Sequence, residues 1–432
     1  PSRWGWALVL PALLAYVLGR SQQIWLVEIG AFIPLLAGCG VLAKGRAALR
    51  PLAFPLLMLL FAIGGTTYGM QEESVAFYAL VVPIMLAAGY NAMTAVMVIV
   101  LGGGVGVLGS TINPFSTGIA TKTADMQLAD VFPIQGIILV LGLIAAIAFT
   151  MRYAQKVKAG EYKADDRTKP TVATTLDMRN VPEFTTARKA VTIVFALTFV
   201  LMILSLIPWA DFKITIFADL FDWAVGLPVI GALLGIGHGL PFGEWYFNEI
   251  SALFLLSTVI IGAIYYAQFR KDDVMIIDTF IKGVADLLPV ALIIAVATGV
   301  SVVMANGAIQ GTVIHWGEDA LRSVGGGIVG VLAFIFYLPM TFLIPSSSGL
   351  AAATMPILAP IADLVGTGKE VIVAAFATSS GLVNMMAPTI ASLMGGLALA
   401  GVSYRAWLKR TLPIMGILAV ISIGVIALFG MA

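Results

Sequence analysis

The chain has 432 residues, of which 60% are hydrophobic and only 11% charged, with a net charge of +1 and a mean hydropathy of +1.02. A soluble domain carries about 25% charged residues, so this composition excludes a soluble globule and describes an integral membrane protein. The small net charge excludes a concentrated nucleic-acid-binding face, and the single cysteine, Cys39, excludes an internal disulfide framework or a thiolate metal site.

A membrane span needs about 20 apolar residues. Apolar runs of that kind predict spans at 24–43, 93–110, 134–151, 190–208, 250–267, 287–305, 371–388 and 411–430, with a shorter one at 5–19. Pro1–Gly19 has no small-residue cleavage site and reads as a membrane helix rather than a signal peptide. The numbering opens at Pro1 rather than Met, which leaves open whether the natural start lies upstream. Two stretches break the pattern. Residues 51–63 and 75–89 flank Gly64-Gly65-Thr66-Thr67 and Gln71-Glu72-Glu73-Ser74, and residues 327–344 and 349–365 flank Pro345-Ser346-Ser347-Ser348-Gly349. Polar, helix-breaking backbone at membrane depth is tolerated only where protein or a water-filled cavity covers it. Both stretches are therefore expected to be re-entrant hairpins with polar tips; the alternative is a pair of ordinary helices joined by a surface loop. The segments 271–285 and 308–323 mix charge with apolar residues and are expected to lie along an interface.

Basic residues favour the cytoplasmic side. Arg152, Lys156, Lys158, Lys163, Arg167, Lys169, Arg179, Arg188 and Lys189 place 152–189 inside, whereas 209–249 carries Asp211, Asp219, Asp222, Glu244 and Glu249 against Lys213 alone and is expected outside. Lys44, Arg46 and Arg50, Arg270-Lys271, and Arg405 with Lys409-Arg410 join the inner set. Two full spans in place of the first hairpin would preserve the same parity. Each half of the chain runs span, hairpin, then a span that ends in a polar turn: Gly109-Ser110-Thr111-Ile112-Asn113-Pro114 in the first, Thr378-Ser379-Ser380-Gly381-Leu382-Val383-Asn384 in the second. With the charge-derived topology the first unit starts outside and the second inside, so the repeat is expected to be inverted. Paired interrupted segments in an inverted repeat point to a transporter site near the midplane. The expected fold class is an all-α polytopic membrane protein, an inverted repeat with two re-entrant helical hairpins and two broken transmembrane helices. Its expected divisions are N-terminal membrane helices (1–50), a first repeat core (51–152), a cytoplasmic linker (153–189), scaffold helices with an extracellular loop (190–286) and a second repeat core (287–432).

A helix that stops in mid-membrane exposes amides or carbonyls and a partial charge, which can hold a substrate carboxylate or Na⁺. The substrate-binding candidates are Thr66, Thr67, Glu72, Glu73, Asn113, Ser346, Ser347, Ser348, Asn384 and Thr389. Neutral oxygens suit a hard cation, so Ser110, Thr111, Asn113, Ser379, Ser380 and Asn384 are candidate Na⁺ ligands. The bland alternative is that small polar residues only glue helices together. An ionisable group inside a span costs at least about 2.5–3.5 kcal/mol, so Glu72 and Glu73 are functional candidates if the tip is deep: one faces the site and the other a helix dipole, with the assignment open. No catalytic residue is expected. Gly104, Gly106 and Gly109 fit GxGxxG spacing but follow no strand. Gly366-Thr367-Gly368-Lys369-Glu370 lacks the Ser/Thr of a phosphate loop, and His238 and His315 fit no metal-ligand pattern.

The motifs Gly64–Glu73, Gly109–Gly118, Pro345–Ala351 and Ser380–Asn384, in that order, resemble the YfcC branch of the DcuC-type anaerobic four-carbon dicarboxylate carrier family. The resemblance spans about residues 55–430, with a shortened N-terminal region. It implies membership of the ion transporter superfamily: secondary carriers of a bacterial inner membrane with two hairpins and two broken helices, a scaffold that homodimerises, and elevator motion. It also implies ion and substrate binding near Ser110, Thr111, Asn113, Ser379, Ser380 and Asn384. Members are variously named dicarboxylate carriers or basic amino acid antiporters. The expected function is a secondary active transporter of a small charged metabolite, favouring a basic amino acid because carboxylates stand at a hairpin tip and no intramembrane arginine could clamp a dicarboxylate. A C4-dicarboxylate transporter is the alternative and an ion channel a lesser one. The lipid bilayer and the small molecule are the expected partners, no nucleic acid is, and Na⁺ or H⁺ is the expected coupling ion.

Overall fold

The computed structural model describes residues 49–162, 183–206, 209–212, 214–227, 239–245, 247–271, 276–322 and 326–431, together with 6, 8–13, 35, 38 and 39. The predicted spans at 5–19 and 24–43 fall largely outside the described residues, as do residues 163–182 of the linker and His238. Among the described residues every regular element is helical and there is no strand. Four helices there are long and apolar enough to cross a membrane.

The first succession runs α1 (Leu49–Tyr68), α2 (Val75–Ala87), α3 (Ala92–Leu108), a π-helical turn (Pro114–Gly118) continuing into α4 (Ile119–Thr123), and α5 (Leu128–Lys158). Then come α6 (Thr186–Leu206), a 3-10 turn (Trp209–Phe212), α7 (Ile216–Val225), α8 (Phe247–Lys271), α9 (Ile276–Asn306) and α10 (Ile309–Arg322). A second succession follows with α11 (Gly326–Leu343), α12 (Ser347–Leu364), α13 (Lys369–Asn384), α14 (Ala391–Ala400) and α15 (Tyr404–Gly430).

The chain divides into two compact units, Pro1–Leu176 with Leu287–Ala432, and Asp177–Asp286. In the larger unit the core is built on α3 and α13. Each is buried almost throughout, α3 apolar on every face and α13 with small hydroxyls and an amide in its last two turns, the pattern of a helix enclosed by others. α1 and α2 flank α3, and α11 and α12 flank α13 in the same way, while α3 and α13 pack on each other. The second arm of each hairpin also crosses to the other succession: α2 packs on α14, and α12 packs on α4 and its π-turn. Close approach of α1 to α3 rests on Gly65 and Gly106; a Cβ at Gly65 would lie 2.2 Å from Gly103 O, a small-residue contact of the kind that membrane helices use in place of the hydrophobic effect.

In the smaller unit α6 packs on α8, with Thr198 Oγ1 and Ser257 Oγ 2.6 Å apart. An aromatic row of Trp209, Phe217, Phe242 and Trp245 closes the turn region.

Three boundaries differ from the sequence expectation. α1 runs through Gly64–Thr67 to Tyr68, because Gly65 serves packing against α3 rather than a break; the chain turns at Gly69, with φ at +75°. The interfacial segment expected at 271–285 is instead largely the first part of α9, which continues from Ile276 to Asn306. The span expected at 371–388 ends at Asn384, and the ten-residue α14 that follows is too short to register as a span.

Candidate functional site

Both central helices stop inside the unit, and each stop is tied to a hairpin tip four residues before an asparagine. At the first, Thr66 Oγ1 lies 2.6 Å from Gly109 O and 2.9 Å from Thr111 Oγ1, and accepts from Thr111 N at 3.0 Å. At the second, Ser347 Oγ and Ser380 Oγ are 3.1 Å apart. Asn113 Oδ1 accepts from Phe115 N at 2.9 Å, and its amide packs against Gly69, where any side chain would collide with it. The second break is held from α15: Trp407 Nε1 donates to Met385 O at 2.9 Å and Tyr404 OH to Met386 O at 2.7 Å.

A cleft of about 330 Å³, including its open mouth, brings the first hairpin tip to the second break. Met70, Gln71 and Ser74 line it from the tip, Gly103 and Gly104 from α3, Asn384 and Met385 from the break, and Ser392 and Leu393 from the first turn of α14. Its polar groups are neutral amides and hydroxyls. Asn384 is 6% exposed, yet its Oδ1 has no hydrogen-bond partner. Leaving a buried acceptor unpaired costs about 1–3 kcal/mol, so a ligand donor there recovers that cost. The first amides of a helix have no intrahelical acceptor and carry positive partial charge, and the amide end of α14 lies at the same cleft.

The remaining candidates are placed as follows. Thr67 Oγ1 donates to Ile63 O, and Ser379 Oγ to Ala375 O, so both hydroxyls are used within their own helices. Ser110 Oγ accepts from Thr117 Oγ1 at 2.7 Å. Ser346 caps α12 by accepting from Gly349 N and stands 3.3 Å from Ser348. Thr389 Oγ1, in the second break, is buried and unpartnered. Glu72 is exposed and Glu73 half-buried, next to Gln71 on the tip, and among the described residues no cation pairs with either. The structure thus joins Asn384 to the first tip, while Asn113 lies in the other break. The sequence reading passes over Ser392, because a lone serine in a small-residue helix carries no signal. Gln71 and Ser74 were visible as part of the polar tip.

The family described as C4-dicarboxylate anaerobic carrier, DcuC, matches residues 29–430. An uncharacterized protein of Haemophilus influenzae is 31% identical over 368 residues, covering 84% of this chain and 65% of that protein; the chain thus spans just under two thirds of its length. A protein of Escherichia coli K12 named "Putative basic amino acid antiporter YfcC" is 26% identical over 414 residues, covering 92% of this chain and 75% of that one. Among solved structures, the YdaH transporter of Alcanivorax borkumensis aligns over 98% of this chain and 85% of its own, at 14% identity and a TM-score of 0.44. With a family match across nearly the whole chain and apolar helices long enough to span a membrane, the chain belongs to the C4-dicarboxylate anaerobic carrier family of multi-pass membrane transporters.

Proposed function

We propose that the chain is a secondary active carrier whose substrate is a basic amino acid. One observation carries this: the tip that bears Glu72 and Glu73 faces Asn384 and the amide end of α14 across one cleft. A basic amino acid has a carboxylate at one end and a cation at the other. The carboxylate suits the α14 amides and Ser392; the cation suits Asn384 Oδ1 and the tip carboxylates. No lysine or arginine lines the cleft among the described residues. A relative named as a basic amino acid antiporter supports the same reading.

The repeat is taken to be inverted and its hairpins re-entrant. In support, Lys158 stacks over Tyr90 at 4.5 Å and Arg410 over Tyr162 at 4.2 Å, which gathers the end of the first hairpin with the basic ends of α5 and α15. Lys369 meets Asp363 at 3.4 Å and Ala124 O at 3.3 Å, gathering the end of the second hairpin with the start of α5. α5 has 31 residues and so separates these two groups by about 46 Å. Elevator motion, a homodimer, an inner-membrane location in a bacterium and coupling to Na⁺ or H⁺ complete the proposal.

The second reading is a C4-dicarboxylate substrate, favoured by the family description, with α14 holding one carboxylate and Ser74 the other. Thermal shifts of the purified protein separate them. Saturating ligand stabilises the native state by about 2.7 kcal/mol at one hundred times Kd. Arginine, lysine or ornithine should raise the melting temperature, and either Glu72→Gln or Glu73→Gln should weaken that response about tenfold or more. A shift with succinate or fumarate alone overturns the proposal in favour of the second reading.

A further inference from the structure

Away from the cleft, a second set of buried oxygens lacks partners. Gln135 lies eight residues into α5, just before the apolar run 136–149, and it is fully buried. Its Nε2 donates to Ala374 O at 3.4 Å, while its Oε1 has no partner. Thr378 Oγ1, also fully buried, has none either.

Helix geometry ties the two groups to one turn of α13. In an α-helix the carbonyl of residue 374 accepts from the amide of residue 378, so the Gln135 amide group sits on the turn that carries Thr378. Two further contacts fix the surroundings. A Cβ at Gly381, three residues beyond Thr378 on α13, would lie 2.3 Å from Leu108 Cα; one at Gly109 would lie 2.5 Å from Leu139 Cα, one turn beyond Gln135 on α5. The two groups therefore lie where α5 and α13 meet the carbonyl end of α3. The π-turn that follows the end of α3 also packs on α13 and carries Ser116, whose buried Oγ is likewise unpartnered.

Hydroxyls in membrane helices ordinarily return to their own i−4 carbonyl, as Ser379, Thr411 and Ser422 do here. Thr378 does not, and its i−4 carbonyl is taken by Gln135. Unpaired buried oxygens are costly, and here they gather beside the negative end of a helix dipole. Neutral oxygens select a hard cation. Among the described residues no group of acidic side chains, histidines or cysteines could hold a metal ion, which disfavours a divalent ion.

We propose that Gln135 Oε1 and Thr378 Oγ1, with Ser116 Oγ beside the first break, form a monovalent cation site for Na⁺, separate from the Asn113 and Asn384 turns. The site links α5 to α13 and does not depend on which substrate the cleft takes. Occupancy should stiffen the junction between the two central helices, so the cation and the cleft ligand share a supporting helix.

The test is thermal stability of the full-length protein titrated with NaCl, KCl and choline chloride at constant ionic strength, without substrate. Na⁺ should stabilise saturably where choline does not. Thr378→Val, nearly isosteric, should reduce the apparent Na⁺ affinity about tenfold or more. Gln135→Leu should do the same, Thr378→Ser should restore the response, and Thr411→Val, a buried hydroxyl elsewhere, should leave it unchanged. No Na⁺-selective stabilisation in the unsubstituted protein overturns the site, as does an undiminished response in both Thr378→Val and Gln135→Leu; the oxygens would then hold water. Loss of substrate-induced stabilisation with the Na⁺ response intact would instead count against the cleft reading alone.

Discussion

At the first break a single threonine hydroxyl does three things: Thr66 Oγ1 meets Gly109 O, Thr111 Oγ1 and Thr111 N. Thr66→Val keeps the shape and removes all three, leaving buried polar groups unpaired. It should cost about 1–3 kcal/mol, read as a lower melting temperature. Gly65→Ala should also destabilise, by about 1–3 kcal/mol of overpacking, because the added methyl meets the backbone of Gly103 and Gly106 rather than a yielding side chain. At this scale the sequence is partly legible. Asn384 stands out as an amide ending a small-residue helix, and the structure places it in the cleft with a free acceptor. Thr66 and Thr67 read as a polar break but sit in the last helical turn, since glycine spacing alone does not separate close packing from chain reversal. Gln135 could have been noticed as a lone amide in an apolar span; its partner helix is 239 residues away, and nothing local shows that.

At the scale of elements, α3 announces itself because enclosure by other helices demands continuous apolar sequence, and α5 and α15 because a helix that crosses a membrane needs about 20 apolar residues. α12 was legible for the opposite reason: Pro345 and the serine run supply its start, and Ser346 caps it. α14 was not, since ten residues with a central Gly395-Gly396 pair, soon after Pro388, are too few to read as a span. Its position depends on α15, which holds the Met385 and Met386 carbonyls through Trp407 and Tyr404. Trp407→Phe keeps most of the buried ring and removes the donor. The second break should then loosen, with substrate affinity falling about tenfold, while the helices remain folded. Equal loss of helicity and binding would show a general packing defect instead.

At the scale of the whole molecule, element order is the part most readable from sequence, because a hairpin, a central helix, a break and a closing helix each leave a polar interruption at a similar spacing. The crossing of α2 onto α14 and of α12 onto α4 is not encoded in any local pattern and needs the fold. An inverted arrangement has a direct consequence for labelling. In a Cys39→Ser background, Ala88→Cys and Leu364→Cys, both at exposed hairpin ends, should react with an impermeant thiol reagent from opposite faces of the membrane, Ala88→Cys from the cytoplasmic one. Labelling of both from one face contradicts the inversion.

The most direct measurement is counterflow in proteoliposomes holding the purified protein, with labelled arginine or lysine outside and the unlabelled amino acid inside. Saturable accumulation of label that falls sharply in Glu72→Gln or Glu73→Gln is the predicted result. Counterflow of succinate or fumarate with none for any basic amino acid would contradict the central claim.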